Sequence, residues 1–271
     1  MTDMTTIDYG PLDRPEITAV LFHPRAEGPL GGGDDAPEIT VSIPVEEGVE
    51  IGGRFHIAGK TAPNILFFHG NGEIVSDYDD LGPVYNRMGI NFLPVDYRGY
   101  GRSTGSPTVT AMMRDCHIIL GFTLKWLSDN GCTGPLAVMG RSLGSASALE
   151  LAACYEDGIH GVIIESGFAW AGPLLALLGV DVAAVGFEEK KGFRNIDKIR
   201  SVTRDCLIIH AERDHIIPSG DGRALYEACG AARKRLLMIP GADHNDLLYV
   251  GYADYMDAVQ TFIKGISGSA G

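Results

Sequence analysis

Cysteine is sparse in this sequence, and its spacing is unlike that of a metal site or a disulfide framework. The chain of 271 residues has five cysteines, which are odd in number and never arranged as Cys-x-x-Cys: Cys116, Cys132, Cys154, Cys206 and Cys229. Disulfide-rich domains have an even number of closely spaced cysteines, and structural zinc sites use Cys-x-x-Cys pairs. We therefore expect no metal, and reduced thiols packed as small apolar groups in a cytoplasmic protein.

Positive charge is also scarce. The chain has 22 lysines and arginines against 35 aspartates and glutamates, which makes its formal net charge −13. Nucleic acids and anionic membranes repel such a protein, so the charge balance argues against both as partners. The N-terminal segment MTDMTTIDYGPLDRP has no basic region followed by an apolar run, and we predict no signal peptide.

A long uninterrupted apolar run is missing as well. The nearest candidate is AWAGPLLALLGVDVAAVGF (169–187), which three glycines, a proline and Asp181 interrupt. A membrane-spanning helix needs about 20 apolar residues, and this run lies between two predicted strands, so we expect no integral membrane segment. We predict instead a short lid insertion over about 169–200. Three interpretations of the run stay open: an apolar cover for an acyl or aromatic substrate, a dimer contact, or core packing.

The remaining sequence has the composition of one globular domain. With 45% hydrophobic and 21% charged residues, a chain of this length has enough apolar material for a single core, and we expect one domain over 1–271. Antiparallel strands are predicted within about 1–60, from the runs ITAVLF (17–22), EITVSIPV (38–45) and VEIGGRFHIA (49–58). The Gly-rich acidic stretch GPLGGGDDAPE (28–38) predicts a loop between the first two.

Six continuously apolar runs follow, each ending in glycine and polar residues. They are NILFFHG (64–70), INFLPVDYRG (90–99), LAVMGRS (136–142), GVIIESG (161–167), CLIIHAERD (206–214) and RLLMIPGADH (235–244). Such runs are typical of strands that are buried on both faces of a parallel sheet. Helical patterns lie between or after them, at 108–128, 146–155, 219–230 and 247–266. The alternation predicts an α/β fold with a mostly parallel, doubly wound sheet and a ligand site beyond its C-terminal strand ends.

The pentapeptide GRSLG (140–144) stands where one of these strands meets a helix. A Gly-x-Ser-x-Gly turn in this context lifts a serine hydroxyl above the sheet, at the positive end of the helix. Ser142 is therefore a candidate nucleophile. Because the motif alone often occurs by chance, the assignment depends on a base, an orienting acid and an oxyanion site elsewhere in the chain.

The candidate base and acid follow the last two predicted strands. His244 lies in PGADHND (240–246), and Asp214 lies in HAERDHIIP (210–218). The chain order Ser142, Asp214, His244 is the order expected of a triad on this fold. We predict that His244 is the general base and that Asp214 holds its ring in the required tautomer.

An oxyanion hole requires two backbone N–H groups close to the nucleophile. One is expected from the residue after the serine, Leu143, and the other from the loop after an early strand. The stretch FFHGNG (67–72) occupies that loop. We predict that Asn71 supplies the second N–H, with its neighbour Gly72 as the alternative.

Other polar residues near the strand ends have structural interpretations. His69 and His210 are expected to form hydrogen bonds with loops. His215 adjoins Asp214 in the sequence, but we expect it at the surface rather than beside the nucleophile. Asp243 and Asp246 flank the candidate base and are expected to be solvated or capping groups.

Charged residues near the site also have structural interpretations. We expect Asp96, with Arg98 and Arg102, to hold its loop through charge-assisted hydrogen bonds. Arg141 is expected to form a structural ion pair rather than to attract an anionic substrate. Glu165 closes a strand and is a less favoured substitute for the triad acid.

Taken together, the motifs resemble the α/β-hydrolase superfamily. HGNGE, VDYRGYGRSTGSP (95–107), GRSLGS and HAERDHIIP are similar to the intracellular serine-hydrolase branch that includes serine aminopeptidase S33-like and abhydrolase-domain proteins. The likeness spans about residues 60–264. It implies hydrolysis of esters, thioesters or amides through an acyl-enzyme, without metal or cofactor. Arg141 replaces the histidine that is usual at the second position of the pentapeptide, and the substrate does not carry over from so diverse a branch.

We therefore predict a serine hydrolase, monomeric or homodimeric, that acts on a small-molecule carboxylic ester or thioester. The short apolar insertion favours this substrate class. A peptidase or amidase is less favoured, because the sequence has no acidic cluster assignable to a substrate amino group. The alternatives from other classes are a ligand-binding protein that keeps the fold without turnover, and a structural partner that docks through 169–187.

Overall fold

The computed structural model describes residues 7–28 and 38–268, and one mixed β-sheet forms its centre. The strands in the described residues are β1 (Glu38–Glu46), β2 (Val49–His56), β3 (Asn64–Phe68), β4 (Asn91–Val95), β5 (Leu136–Arg141), β6 (Gly161–Glu165), β7 (Asp205–Ala211) and β8 (Lys234–Ile239). Their order across the sheet is β1-β2-β4-β3-β5-β6-β7-β8. The pairs β1–β2 and β2–β4 are antiparallel, whereas β3 to β8 run parallel. This architecture confirms the predicted α/β fold with a mostly parallel sheet.

Helices connect the parallel strands and cover the sheet. In the described part of the chain they are α1 (Pro15–Leu21), α2 (Leu81–Arg87), α3 (Val109–Asp129), α4 (Ser145–Cys154), α5 (Ala171–Leu177), α6 (Asn195–Ser201), α7 (Ser219–Ala228), α8 (Leu247–Val250) and α9 (Tyr252–Ser267). Thr108 caps α3, since its hydroxyl accepts the N–H of Ala111. No described helix is at once long and apolar enough to cross a membrane.

The parallel strands are buried on both faces, as their unbroken apolar runs predict. In β3, Leu66 and Phe68 contribute to one hydrophobic cluster. Ile65 and Phe67 contribute to a second cluster on the opposite face. Because successive side chains of a strand point to opposite faces, an apolar run without alternation requires a helix layer on each side.

The prediction of a strand at 17–22 is wrong, because these residues lie mainly in helix α1. Pro15 occupies the first turn, where its fixed φ favours a helix and its missing N–H costs nothing. Ile17 and Leu21 stand four residues apart and are both buried, so they form one apolar face of a helix. The β-branched residues of the run favour a strand by their intrinsic propensity, but burial of this apolar helix face outweighs that preference. Residues 29–37 of the predicted Gly-rich loop lie outside the described residues.

The helix predictions miss short elements and join two that are separate. Helices α2, α5 and α6 have seven residues each, too few for a clear helical period in the sequence. The predicted helix at 247–266 is interrupted at Gly251, which separates α8 from α9. A side chain at Gly251 would collide with Ile239 of β8, with its Cβ 2.5 Å from the isoleucine Cγ2.

Candidate active site

The turn between β5 and α4 has the geometry of a nucleophile elbow. Ser142 has a φ of +51°, a left-handed conformation that costs a non-glycine residue energy. A Cβ on Gly140 would lie 2.2 Å from the carbonyl oxygen of Gly144, and one on Gly144 would lie 2.1 Å from that of Phe68. Both contacts are impossible, so the two glycines of the pentapeptide allow the turn to press against the sheet. The strained turn leaves the Ser142 hydroxyl above the strand ends.

Three side chains from three strand ends form a hydrogen-bonded series. His244 Nε2 lies 2.9 Å from Ser142 Oγ, and His244 Nδ1 lies 2.7 Å from Asp214 Oδ2. Asp214 follows β7, and His244 follows β8. Both residues are buried. The structure thus brings together the three residues that the sequence nominates as nucleophile, base and acid.

The environment of Asp214 favours its ionised form. Its Oδ1 accepts the backbone N–H groups of Ile216 and Ile217 at 3.0 and 2.7 Å. Burial raises the pKa of Asp214, but the hydrogen bond with His244 and that from Ile217 outweigh burial, and the pKa lies below its ordinary value. An ionised carboxylate only accepts hydrogen bonds, so Nδ1 of His244 carries the proton and Nε2 presents a lone pair to Ser142.

The loop after β3 brings Asn71 to the rim of the same site. A cavity of about 220 Å³, here called the Ser142 cavity, is lined by Ser142, Leu143, His244 and Asn71 among others. Within the elbow, the N–H of Ser145 donates to the carbonyl oxygen of Ser142. The N–H of Leu143 lies earlier in the turn and takes no part in this hydrogen bond. The two predicted oxyanion donors therefore border one cavity.

Hydrogen bonds hold both the oxygen and the nitrogen of the Asn71 side chain. Its Oδ1 accepts the backbone N–H of His23 at 2.8 Å and the hydroxyl of Tyr100 at 2.7 Å. Its Nδ2 lies 2.7 Å from the ring nitrogen Nδ1 of His23. These contacts attach the loop after β3 to the segment that follows α1, an attachment with no signal in the sequence.

One wall of the Ser142 cavity is apolar. It consists of Leu21 from α1, Leu174 and Leu178 from the insertion after β6, and Ile216 from the loop after β7. The sequence did not identify any of these four residues individually. The apolar character of 169–187 did indicate a contribution from the segment that contains Leu174 and Leu178. Within the same insertion Leu175 is buried and Leu177 is exposed. The segment therefore contributes to the core and to the cavity.

Arg141 forms the structural ion pairs that its position predicts. Its guanidinium contacts Glu73 and Glu165, each at 3.2 Å, and donates to the carbonyl oxygen of His244 at 3.0 Å. Glu165 also accepts the hydroxyl of Tyr255 at 2.7 Å, and burial raises its pKa. Glu165 is therefore engaged away from the histidine ring and does not stand where a triad acid would. A second cavity of about 330 Å³ adjoins this group.

Asp96 and Arg98 each form charge-assisted contacts, as expected, but not with each other. Asp96 accepts the backbone N–H of Val75 at 3.0 Å and lies 3.2 Å from Nε2 of His69. Arg98 pairs instead with Asp115, at 2.6 Å, and with Glu46, at 2.8 Å. Neighbouring strand-end residues point in different directions, so their proximity in sequence does not make them partners.

The remaining histidines near the strand ends bond to loops or lie at the surface. His69 Nδ1 lies 2.8 Å from the carbonyl oxygen of Gly70, and His210 Nε2 lies 2.9 Å from that of Ile217.

His215 is exposed and pairs with Asp243, which raises the pKa of this histidine. Asp243 also accepts the N–H of His244, and Asp246 accepts the N–H of Asp243, as capping groups do.

A group with metal-ligand chemistry lies away from the Ser142 cavity. Among the described residues, His117, Glu150 and Cys154 place their ligand atoms within 4.8 Å of one another. The buried ammonium of Lys198 lies 2.7 Å from Glu150. Burial raises the pKa of Glu150, but hydrogen bonds from His117, Lys198 and Tyr9 lower it to about 2. Lys198 already supplies positive charge to Glu150, so the group does not indicate a metal.

The sequence matches a known family model and is similar to proteins that have been named. A family model described as serine aminopeptidase, S33, matches residues 59–187. Alpha/beta hydrolase domain-containing protein 17B of Homo sapiens is 33% identical over 223 residues, which cover 76% of this chain and 69% of that protein. Alpha/beta hydrolase domain-containing protein 17C of Homo sapiens is 32% identical over 212 residues, which cover 74% of this chain and 57% of that protein.

Solved structures share the fold at lower identity. The esterase Pf2001 of Pyrococcus furiosus superposes with a TM-score of 0.72 at 20% identity, covering 90% of this chain and 98% of the esterase. A soluble variant of monoglyceride lipase from Saccharomyces cerevisiae, in complex with a substrate analogue, has a TM-score of 0.67 at 18% identity. That match covers 88% of this chain and 98% of the lipase. At such identities the likeness demonstrates the fold alone.

Proposed function

The chain belongs to the α/β-hydrolase superfamily, and we propose that it is a serine hydrolase that cleaves carboxylic esters or thioesters through an acyl-enzyme intermediate. One observation carries the proposal: the hydrogen-bonded series from Ser142 through His244 to Asp214, with distances of 2.9 and 2.7 Å. A serine hydroxyl is a weak nucleophile, and such a series is the arrangement that activates it.

In the proposed mechanism His244 acts twice. Its Nε2 takes the proton of Ser142 as the oxygen attacks the carbonyl carbon, and it returns that proton to the leaving alcohol or thiol. Water then attacks the acyl-enzyme with His244 again as the base, the ester bond to Ser142 Oγ breaks to release the acid, and His244 gives the proton to Ser142 Oγ. Asp214 holds the ring in the tautomer with a proton on Nδ1 and stabilises the imidazolium that forms at each step.

The oxyanion of each tetrahedral intermediate accepts hydrogen bonds from the N–H groups of Leu143 and Asn71. Such donors typically contribute about 3 kcal/mol each to transition-state stabilisation. Support for this role comes from the common cavity of the two residues and from the anchored side chain of Asn71. The acyl group of the substrate lies against the apolar wall of Leu21, Leu174, Leu178 and Ile216.

A serine peptidase or amidase is the second candidate, because the matched family model is described as a serine aminopeptidase. An aminopeptidase needs a free carboxylate for the substrate ammonium. Among the described residues that line the Ser142 cavity, Glu73 is the only carboxylate. It is already paired with Arg141 and accepts the Gly70 N–H at 2.6 Å. This engagement favours esters and thioesters over amino-terminal amides.

The proposal is tested by labelling with a fluorophosphonate, followed by mass mapping of the adduct. We expect labelling at Ser142 in the wild-type protein and none in the Ser142→Ala variant. Turnover is then compared on p-nitrophenyl esters, acyl thioesters and aminoacyl p-nitroanilides. Faster turnover of the anilides would favour the peptidase. A folded wild-type protein that neither labels nor turns over any of these substrates would contradict the proposal and favour a ligand-binding role.

A further inference from the structure

Arg141 stands between the elbow and two loops of the candidate site, and its three guanidinium nitrogens contact three different elements. Nε contacts Glu165 at the end of β6, and Nη1 contacts Glu73 in the loop after β3. Nη2 donates to the carbonyl oxygen of His244 in the loop after β8. We call these four residues the Arg141 bridge. Its arginine side chain is only 12% exposed.

The His244 contact links the candidate base directly to the nucleophile. Arg141 immediately precedes Ser142 in the chain, so the backbone that carries the nucleophile also carries the guanidinium that holds the His244 carbonyl. The ring of His244 is held separately by Ser142 and Asp214. The guanidinium thus constrains the backbone of His244, on which the direction of its ring depends.

The Glu73 contact links the same guanidinium to the candidate oxyanion donor. While Oε1 of Glu73 pairs with Arg141, its Oε2 accepts the N–H of Gly70 at 2.6 Å. Gly70 is the residue before Asn71, whose N–H is the proposed donor. Oε2 also accepts the hydroxyl of Tyr78 at 2.6 Å, which leaves the carboxylate little freedom to turn. Arg141 therefore constrains the loop after β3 through one intermediate side chain.

From these contacts we infer that Arg141 is a positioning residue, which holds the general base and the oxyanion donor in register with Ser142. This inference rests on the proposed function and assigns Arg141 no contact with substrate. Lysine cannot replace the guanidinium, because one ammonium nitrogen cannot face three elements in these directions. Misplacement of catalytic groups by about 1 Å can slow a reaction by about 100-fold, so loss of the Arg141 bridge lowers kcat.

The test compares Arg141→Met with a matched control, Arg98→Met. Arg98 is 10% exposed and also pairs with two carboxylates, those of Asp115 and Glu46. It is not among the residues that line the Ser142 cavity. Both variants lose a partly buried arginine that neutralises two carboxylates, so a general loss of stability affects both.

Turnover of a short p-nitrophenyl ester is measured where both variants are fully folded, together with their thermal midpoints. Arg141→Met is expected to lower kcat by about 10- to 100-fold with KM within about twofold of wild type. Arg98→Met is expected to keep kcat within about twofold. Arg141→Lys is expected to have an intermediate kcat, since it keeps one ion pair.

Gly70→Ala tests the Arg141 bridge without removing any charge. The φ of Gly70 is not positive, so alanine is conformationally allowed, but the new Cβ would lie 2.8 Å from Glu73 Oε2 and 3.1 Å from Arg141 Nη1. The alanine therefore displaces the bridge, and kcat is expected to fall by about 10-fold. If Arg141→Met does not fold, this variant decides the question.

Either of two results would overturn the inference. The first is a kcat within about twofold of wild type in Arg141→Met, or in Gly70→Ala if the former does not fold. The second is an equal loss of kcat in Arg98→Met. A wild-type protein without turnover or labelling at Ser142 is a different result, because it would remove the proposed function and this inference with it.

Discussion

The two walls of the Ser142 cavity are built in different ways. Ser142 and His244, which line the cavity, and Asp214, which bonds to His244, form the polar wall. They follow β5, β8 and β7, and hydrogen bonds of 2.9 and 2.7 Å join them at one edge of the parallel sheet. The apolar wall consists of leucines and an isoleucine from α1, from the insertion after β6 and from a loop. The first wall is polar and belongs to the sheet, whereas the second is apolar and belongs to segments added around it.

Polar contacts attach the segments of the apolar wall to each other and to the rest of the protein. Arg14, just before α1, donates to the carbonyl oxygen of Val185 in the insertion at 2.7 Å. The insertion is also held by Asp221 of α7, which accepts the N–H of Ala169 at 2.8 Å. The two walls therefore differ in what they supply: the strand ends supply precise polar geometry, and the peripheral segments supply the shape of the pocket.

We therefore expect substitutions in the polar wall to change kcat and those in the apolar wall to change KM and acyl preference.

The largest expected effect comes from the proposed nucleophile. Ser142→Ala should lower ester turnover by at least about 10⁴-fold, since no other hydroxyl in the series can form the acyl-enzyme. The thermal midpoint should stay close to that of wild type, because the substitution removes one partly exposed oxygen. A variant that retains turnover and still reacts with the fluorophosphonate would break the assignment of the polar wall.

Asp214→Asn should have the next largest effect. The amide preserves the shape of the carboxylate but favours the wrong tautomer of His244, so kcat should fall by about 10⁴-fold with little change in KM. Steady-state kinetics on a p-nitrophenyl ester measure both constants. A loss confined to KM would argue that Asp214 orients the substrate rather than His244.

Asn71→Ala tests whether the polar wall depends on a side chain that takes no part in the reaction. The proposed donor is the backbone N–H, which the variant keeps, but its contacts with His23 and Tyr100 are lost. We expect kcat to fall by about 10-fold, less than the 100-fold or more that accompanies removal of a donor. The control is Asn130→Ala, since the Asn130 side chain donates locally to the carbonyl oxygen of Trp126 in α3. Equal kcat values in the two variants would mean that the anchoring is irrelevant to turnover.

Leu174→Ala should alter selectivity rather than the rate of the chemical step. Leu174 lines the Ser142 cavity, and its truncation to alanine enlarges the pocket by the volume of the side-chain carbons that are removed. We expect the ratio of kcat/KM for long over short p-nitrophenyl esters to rise by about threefold to tenfold. The matched control is Leu177→Ala, because Leu177 lies in the same helix but is 57% exposed. If both variants leave the acyl series unchanged, the apolar wall does not contact the acyl group.

The smallest effect concerns stability in acid. Because the pKa of Asp214 is lower in the folded protein than its ordinary value of about 3.9, its ionised form stabilises the fold above that pH. This contribution is lost as the pH falls through the folded pKa. The difference in unfolding free energy between wild type and Asp214→Asn should therefore be constant above about pH 5 and shrink below pH 4. Urea unfolding at several pH values measures it, and a difference independent of pH would contradict the lowered pKa.

The candidate residues of the polar wall could be identified from the sequence, although their catalytic roles stay predictions. Ser142, Asp214 and His244 each follow an apolar run, and the ends of parallel strands meet at one edge of a sheet. The partners of Asp96 and Arg98 could not be identified in this way. Residues two positions apart share a strand end, but the directions of their side chains depend on the loops packed above them.

By itself, the sequence determined the class of fold, the strands of the parallel sheet and the three loops that meet at its edge. Each of these depends on local properties, namely an unbroken apolar run, a Gly-flanked turn and the residue that follows a strand. Tertiary structure alone decided that Leu21 and Leu174 line one cavity and that Arg141 contacts three elements. These features join segments far apart in the chain, so they depend on packing and on the burial of charge in the folded protein, which no local pattern records.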